Sequence, residues 1–286
     1  MTLAQLQVFI AVAETRHFTR AAEALGFTQS AVSQMIRSLE TELGVTLFHR
    51  SRNGISPTSI GERMLQHARE IVHITSCMKE EASAAQGVET GTLRISSIHS
   101  VSNKILPGLI GSFRKRFPQV DIVLFEGGYE EINSWINQSV VDVGFTTLPE
   151  KDMTVFPLTR DEMMVFVAEE HALKDEPFLT FSHIKNNCFI MPKDDCIQKL
   201  LRENGLQSHV TFEVRDASTI LAMVQERVGV TILPELYIPE VLPRVVGIPL
   251  RPKITRELVI AIRNSQCMSP MVAEFILHSQ NFTKSG

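Results

Sequence analysis

Residues 28–43 sort their side chains by chemistry. Val32, Ile36, Leu39 and Leu43 recur at intervals of four, three and four, which on an α-helix makes one apolar stripe. Thr28, Gln29, Ser30, Ser33, Gln34 and Arg37 fall outside that stripe, with Glu40 as the single acidic neighbour near the far end. Amides and hydroxyls donate and accept hydrogen bonds, and a guanidinium forks onto guanine or phosphate. Such a face suits the base edges of a DNA major groove. An ordinary solvated helix offers similar groups, so the neighbouring segments must decide. Downstream, Val45, Leu47 and Phe48 read as core, Arg50 and Arg52 as exposed, and Asn53-Gly54 as a hairpin turn. That pattern predicts a small wing holding two cations against a phosphate backbone.

The elements needed to position these groups are legible nearby. A helix over Leu3–Glu14 places Leu3, Leu6, Phe9, Ile10 and Ala13 on one face. A second is predicted from an N-cap at Thr19 through Leu25, with Ala21 and Ala22 small enough for close helix packing. Thr28 then caps the reading helix and Gly44 closes it. Over residues 59–88, Ile60, Met64, His67, Ile71, Ile74 and Met78 alternate spacings of four and three, the seam of a heptad repeat. Leu65, Ala68, Val72 and Thr75 form a weaker second stripe. Two stripes predict two partners: the same helix of a second subunit, and the chain's own N-terminal part.

From Gly91 the pattern becomes α/β. Strands are expected at Leu93–Ile98, Val120–Glu126 and Val141–Thr146, with helices at Asn103–Phe117 and Glu130–Gln138. A second alternation places strands near Met163–Ala168, Cys188–Met191, Val210–Glu213, Val228–Leu233 and Glu257–Arg263, with a helix at Ser218–Glu226. Alternation of this length predicts parallel βαβ units in two similar subdomains with a cleft between them.

Composition narrows the function classes. The chain has 286 residues and a formal net charge of −4, which by itself does not suggest a nucleic-acid partner. Residues 1–58, however, carry five arginines against four glutamates, a net of +1, so the cations are placed rather than massed. The four cysteines (Cys77, Cys188, Cys196, Cys267) include no CxxC pair, so neither a disulfide framework nor a structural zinc is expected. No apolar run reaches the roughly 18 residues of a membrane span. The first residues lack the basic region of a signal peptide, and a cytoplasmic location is expected. No GxSxG, HExxH, Walker A or GxGxxG motif is present, so no enzymatic activity and no cofactor are expected.

Phe18-Thr-Arg-Ala-Ala, Thr28-Gln-Ser-Ala-Val-Ser33, Leu39-Glu40, Leu43-Gly44, Leu47-Phe48-x-Arg50 and Pro57-Thr58-x-x-Gly61 together resemble the LysR-type transcriptional regulators. Weaker similarity continues in Leu106-Pro107, Phe117-Pro118, Asp142-Val-Gly-Phe145 and Gly229-Val-Thr-Ile-Leu-Pro234. Ser56 stands where many members carry leucine, a local change in the wing. The resemblance implies an α/β protein with an all-α N-terminal part. Its parts would be a winged helix-turn-helix (1–58), a long linker helix for dimerisation (59–90) and a two-lobed effector domain like periplasmic binding proteins (91–286). Lobe I would take about 91–160 and 266–286, and lobe II about 161–265. Implied partners are double-stranded promoter DNA, a small-molecule effector, RNA polymerase, and further copies of the chain in a homodimer or homotetramer.

Carrying the family's cleft onto this sequence marks Ser97, His99, Ser100 and Ser102 as effector contacts, where hydroxyls at a helix start favour an anion. Thr146 and Thr147 would face them, with Pro192, Lys193 and Thr231 from the second lobe. Cys196 lies where peroxide-sensing members carry a reactive cysteine, but Leu206 and Ser208 stand in the stretch where a resolving thiol would fall. The expected function is therefore promoter binding modulated by a small anionic metabolite. Alternatives are a thiol-responsive regulator of the same family and a solute-binding protein.

Overall fold

The structure, a computed structural model, describes the chain apart from residues 52–53, 86–89, 148, 204–209, 239–243, 264–267 and 286. Three helices lead: α1 (Leu3–Thr15), α2 (Phe18–Leu25) and α3 (Gln29–Leu43). Thr28 caps α3 by accepting from the Ala31 N–H at 3.2 Å, and Gly44 ends it at φ +68°, a left-handed value that glycine adopts without a Cβ penalty. Helix α2 starts two residues earlier than the sequence suggested. His17, not Thr19, is the cap: its ring Nδ1 accepts from the Thr19 N–H at 3.2 Å, leaving Phe18 to enter the core as the first helical residue.

Val32, Ile36 and Leu39 are fully buried with Leu6, Val8, Phe9, Val12, Ala21 and Leu47. Each of these side chains larger than alanine contributes about 1.5–3 kcal/mol relative to exposure. The hairpin β1 (Phe48–Ser51) and β2 (Gly54–Pro57) pairs antiparallel and is pinned to this core by Phe48, whose ring meets Phe9 edge-on at 5.3 Å. Glu40 secures the same joint, accepting the Leu47 N–H at 2.8 Å.

Helix α4 (Ser59–Ala84) begins against the wing. Thr58 accepts the Gly61 N–H at 2.9 Å and donates to the Thr46 carbonyl at 2.8 Å. A Cβ on Gly61 would stand 2.2 Å from the Leu47 carbonyl oxygen, so only glycine allows this approach. Leu65 and Ala68, from the second stripe, are buried in the N-terminal core. The other stripe splits: Ile60 and Met64 are half-buried, His67 is exposed, and Ile71, Ile74 and Met78 are 40%, 48% and 67% exposed. Arg69 is buried between the two parts of the chain, donating to Glu14 of α1 at 3.4 Å and to Gln138 at 3.1 Å. Burial pulls its pKa down, opposed by Glu14.

The remainder is β3 (Gly91–Ser97), α5 (His99–Lys104), α6 (Leu106–Arg116), β4 (Val120–Glu126), α7 (Tyr129–Asn137), β5 (Val143–Thr146), β6 (Thr154–Ala168), α8 (Phe181–Ile184), β7 (Phe189–Pro192), α9 (Asp195–Glu203), β8 (Val210–Val214), α10 (Ala217–Gln225), β9 (Thr231–Pro234), β10 (Val245–Pro249), β11 (Thr255–Ile262) and α11 (Pro270–Ser285). The helix expected over Asn103–Phe117 is two helices that break at Ile105, with Pro107 in the first turn of α6, where its missing N–H costs least. The sheets are mixed rather than parallel. β3 pairs parallel with β4 and β5, and β7 with β8, but β11 runs antiparallel to both β5 and β6, as do β9 and β10 to β6.

Strand β6 is the spine. Thr154–Glu162 pairs with β11, and Met163–Ala168 pairs with β9 and β10. Its two halves serve two apolar cores, one under β3, β5 and β11, the other under β7, β9 and β10.

Candidate nucleic-acid interface and inter-lobe cleft

On α3 the stripe and the face part as expected except at Leu43, which stands in the helix's last turn and is 37% exposed. Gln29, Ser30, Gln34 and Arg37 are exposed and Ser33 is half-buried, opposite fully buried Val32, Ile36 and Leu39. Thr28 is the cap, its hydroxyl 3.0 Å from that of Ser30. Of the wing cations, Arg50 lies in β1 opposite Ile55. Its side chain, and Arg52 entirely, fall outside the described residues.

A second constellation sits where the two lobes meet, and it is held by ionic chemistry. Asp161 and Arg256 are directly opposite each other across the β6–β11 ladder. The guanidinium donates through Nε and Nη2 to Asp161 Oδ2 at 2.9 and 2.7 Å, with the two residues 4% and 2% exposed. Nη2 also donates to Ser100 Oγ at 2.8 Å and Nη1 to the Tyr129 hydroxyl at 3.2 Å. Tyr129 in turn donates to Asp194 Oδ2 at 3.1 Å. Asp194 accepts the Ile197 N–H, and the Leu236 N–H reaches the other oxygen of Asp161. The Tyr237 ring lies 5.5 Å from the guanidinium, within cation–π range, and stacks on His99.

Burial raises the Asp161 pKa, an effect the adjacent Arg256 works against. For Arg256 burial opposes the charge, but its neighbours outweigh it and raise the pKa overall, with Asp161 the anion among them at pH 7. Burial raises both phenols, Tyr237 to about 12, so each stays a neutral hydrogen-bonding group at pH 7.

The cleft residues carried over from the family divide around this cluster. Ser100 is inside it, fully buried. His99 borders it through Tyr237, while its ring nitrogens meet Glu126 at 3.0 Å and Asn103 at 2.9 Å. Thr147 has its hydroxyl shut off from solvent beside Tyr129. Ser102 Oγ is buried with no hydrogen-bond partner among the described residues, and Thr146 is buried at the end of β5. Others are occupied locally: Ser97 donates to the Ile98 carbonyl and Thr231 to the Ile190 carbonyl at 2.8 Å. Pro192 ends β7 opposite Val214, and the Lys193 N–H is bonded to the Val214 carbonyl with its side chain exposed. Side-chain detail for Cys196, and all of Leu206 and Ser208, fall outside the described residues.

Tyr129, Asp161, Asp194, Tyr237 and Arg256 were not singled out from the sequence. A signal existed for the ion pair. Asp161 shares strand parity with buried Met163, Val165 and Val167, and Arg256 with Leu258 and Ile260. A charge at a core parity position needs a partner.

Two family models match the chain: the bacterial regulatory helix-turn-helix protein of the lysR family over residues 3–62, and the LysR substrate binding domain over 86–282. The HTH-type transcriptional regulator YvbU of Bacillus subtilis is 32% identical over 268 residues, covering 92% of each chain. LrrA of Synechococcus elongatus, a probable HTH-type regulator, is 32% identical over 281 residues, 96% of this chain and 95% of its own. Among solved structures, a full-length OxyR variant from Pseudomonas aeruginosa superimposes with a TM-score of 0.83 at 23% identity, over 99% and 95% of the two chains. Full-length CbnR with its target DNA gives 0.66 at 21% identity, over 99% and 100%. The chain belongs to the LysR family of DNA-binding transcriptional regulators and carries that family's effector-binding domain.

Proposed function

We propose that α3 reads promoter sequence through Gln29, Ser30, Ser33, Gln34 and Arg37, with Thr28 at its start and Arg50 and Arg52 of the wing on the phosphate backbone. The observation that carries this is the exposed polar face of α3, fixed in place by the buried Val32, Ile36 and Leu39 of the opposite face. With only five arginines in residues 1–58, a single copy offers few phosphate contacts. The apolar seam of Ile60, Met64, His67, Ile71, Ile74 and Met78, exposed toward its far end, supports pairing with a second copy, as a dimer or a dimer of dimers. The working division is DNA-binding residues 1–58, linker 59–90 and effector-binding 91–286; because β11 packs in the core with β3 and β5, lobe I takes about 91–160 and 255–286 and lobe II about 161–254, in place of the sequence-based boundary near 265.

In this reading the effector enters between the lobes and acts on promoter binding or bending, and the bound protein meets RNA polymerase in the cytoplasm. Among the described residues no helix is long and apolar enough to cross a membrane. The test is footprinting and gel-shift titration on the promoter region beside the gene. Gln34→Ala and Arg37→Ala should lose specific affinity while keeping the wild-type oligomeric state. If both bind the promoter like wild type, α3 is not the reader.

A further inference from the structure

The cluster between the lobes contains one guanidinium and two carboxylates, and this charge count restricts what can enter it. Arg256 spends Nε and Nη2 on Asp161, Nη2 also on Ser100, and Nη1 on Tyr129. No other cation neutralises Asp161 among the described contacts: beyond Arg256 its carboxylate takes only the neutral backbone N–H groups of Leu236 and Glu235. A ligand with only negative charge would take Arg256 and leave a nearly solvent-free carboxylate without its counter-ion. A ligand with only positive charge would take Asp161 and leave Arg256 in the same condition. Both exchanges are costly in a buried setting. A ligand carrying both charges replaces one ion pair with two.

The surrounding groups are arranged for such an exchange. Ser100 and Tyr129, both at the first lobe, sit on the guanidinium at 2.8 and 3.2 Å, where they flank an incoming carboxylate. Asp194, after β7 of the second lobe, is tied to the Tyr129 hydroxyl at 3.1 Å, which brings a second acid to the edge of the same cluster. Tyr237 covers the guanidinium face at 5.5 Å and keeps it in place while its in-plane partners change.

Resting on the reading of this domain as the effector-binding part, we propose that the effector is a small zwitterion with an amino-acid head. Its carboxylate binds Arg256, Ser100 and Tyr129, and its ammonium binds Asp161 and Asp194. The Asp161–Arg256 pair is the cleft's internal substitute for the ligand. The negative end agrees with the anion expected from the serines, and the positive end is the addition.

The experiment is thermal unfolding of the full-length protein with each standard L-amino acid at about 10 mM, a concentration at which millimolar binders give a resolvable shift. For each stabilising amino acid, the same carbon skeleton without the amine and without the carboxylate is run beside it. The expected result is stabilisation by at least one amino acid and by neither single-charge counterpart. Asp161→Asn should reverse the preference, with the carboxylate-only compound gaining at least tenfold in affinity and the amino acid losing at least tenfold. Asp194→Asn keeps a good helix N-cap for α9 and should weaken the amino acid several-fold; unchanged affinity there counts against the ammonium site. Stabilisation of the wild type by the carboxylate-only compound equal to that by the amino acid overturns the proposal, as does the absence of any amino-acid response. Promoter binding is measured on the same samples. Its loss in the wild type sinks the regulator reading, whereas intact promoter binding without an amino-acid response sinks only the zwitterion.

Discussion

On α3, Gln29, Ser30, Gln34 and Arg37 stand in solvent. Between the lobes, Ser100, Asp161 and Arg256 are buried and bonded to one another. The two regions use similar functional groups under opposite conditions. A side chain in water gives up little when it turns to a base edge, because it exchanges one partner of similar strength for another. A side chain in the cluster is already satisfied by protein, so any ligand must reproduce the contacts it displaces. The first arrangement leaves discrimination to the DNA partner's pattern of donors and acceptors. The second builds discrimination into the protein, because a ligand that fits only half the cluster is rejected by the half it abandons.

This contrast breaks down if the cluster proves as tolerant of truncation as the helix face. Arg256→Ala leaves Asp161 buried without a counter-ion and should cost about 3–5 kcal/mol of stability, measured by urea unfolding. The apolar pair Asp161→Leu with Arg256→Met should recover most of that loss while abolishing any effector response in footprints. A loss under 1 kcal/mol for Arg256→Ala would mean that the cluster is solvated. At the helix face the signs reverse. Arg37→Ala should cost about 1–3 kcal/mol of specific promoter affinity, yet stay within roughly 0.5 kcal/mol of wild-type stability. Thr28→Ala falls between these cases. It removes the cap on Ala31 N–H and should lower stability by about 1 kcal/mol, together with a fall in promoter affinity smaller than that of Arg37→Ala.

What was legible in the sequence follows the same division. The α3 cap, stripe and stop are set by Thr28, the 4-3-4 spacing and Gly44, all within one local segment, and the helix runs Gln29–Leu43 as the pattern implies. Strand β4 likewise has the expected ends, Val120 and Glu126. The ion pair joins residues 95 positions apart, and no local pattern brings Asp161 to Arg256. Alternating strands and helices also do not report strand direction. The antiparallel return of β11 onto β6 and β5, which creates the pairing, was hidden behind an expectation of parallel units. Pro107 was a readable warning against a continuous helix over Asn103–Phe117. His17 was harder to foresee, since histidine is an infrequent cap and its role depends on which ring nitrogen faces the Thr19 N–H.

The continuity of β6 has a mechanical consequence. A single strand passes from one sheet into the other, with Asp161 two residues before Met163, where pairing with β9 begins, and the chain returns only between Pro249 and Thr255. The fulcrum of any opening motion therefore lies beside the ion pair. Groups at a fulcrum travel a short arc while the outer edges of both lobes travel a long one. A small displacement at the cluster thus becomes a large one at the rims of both lobes.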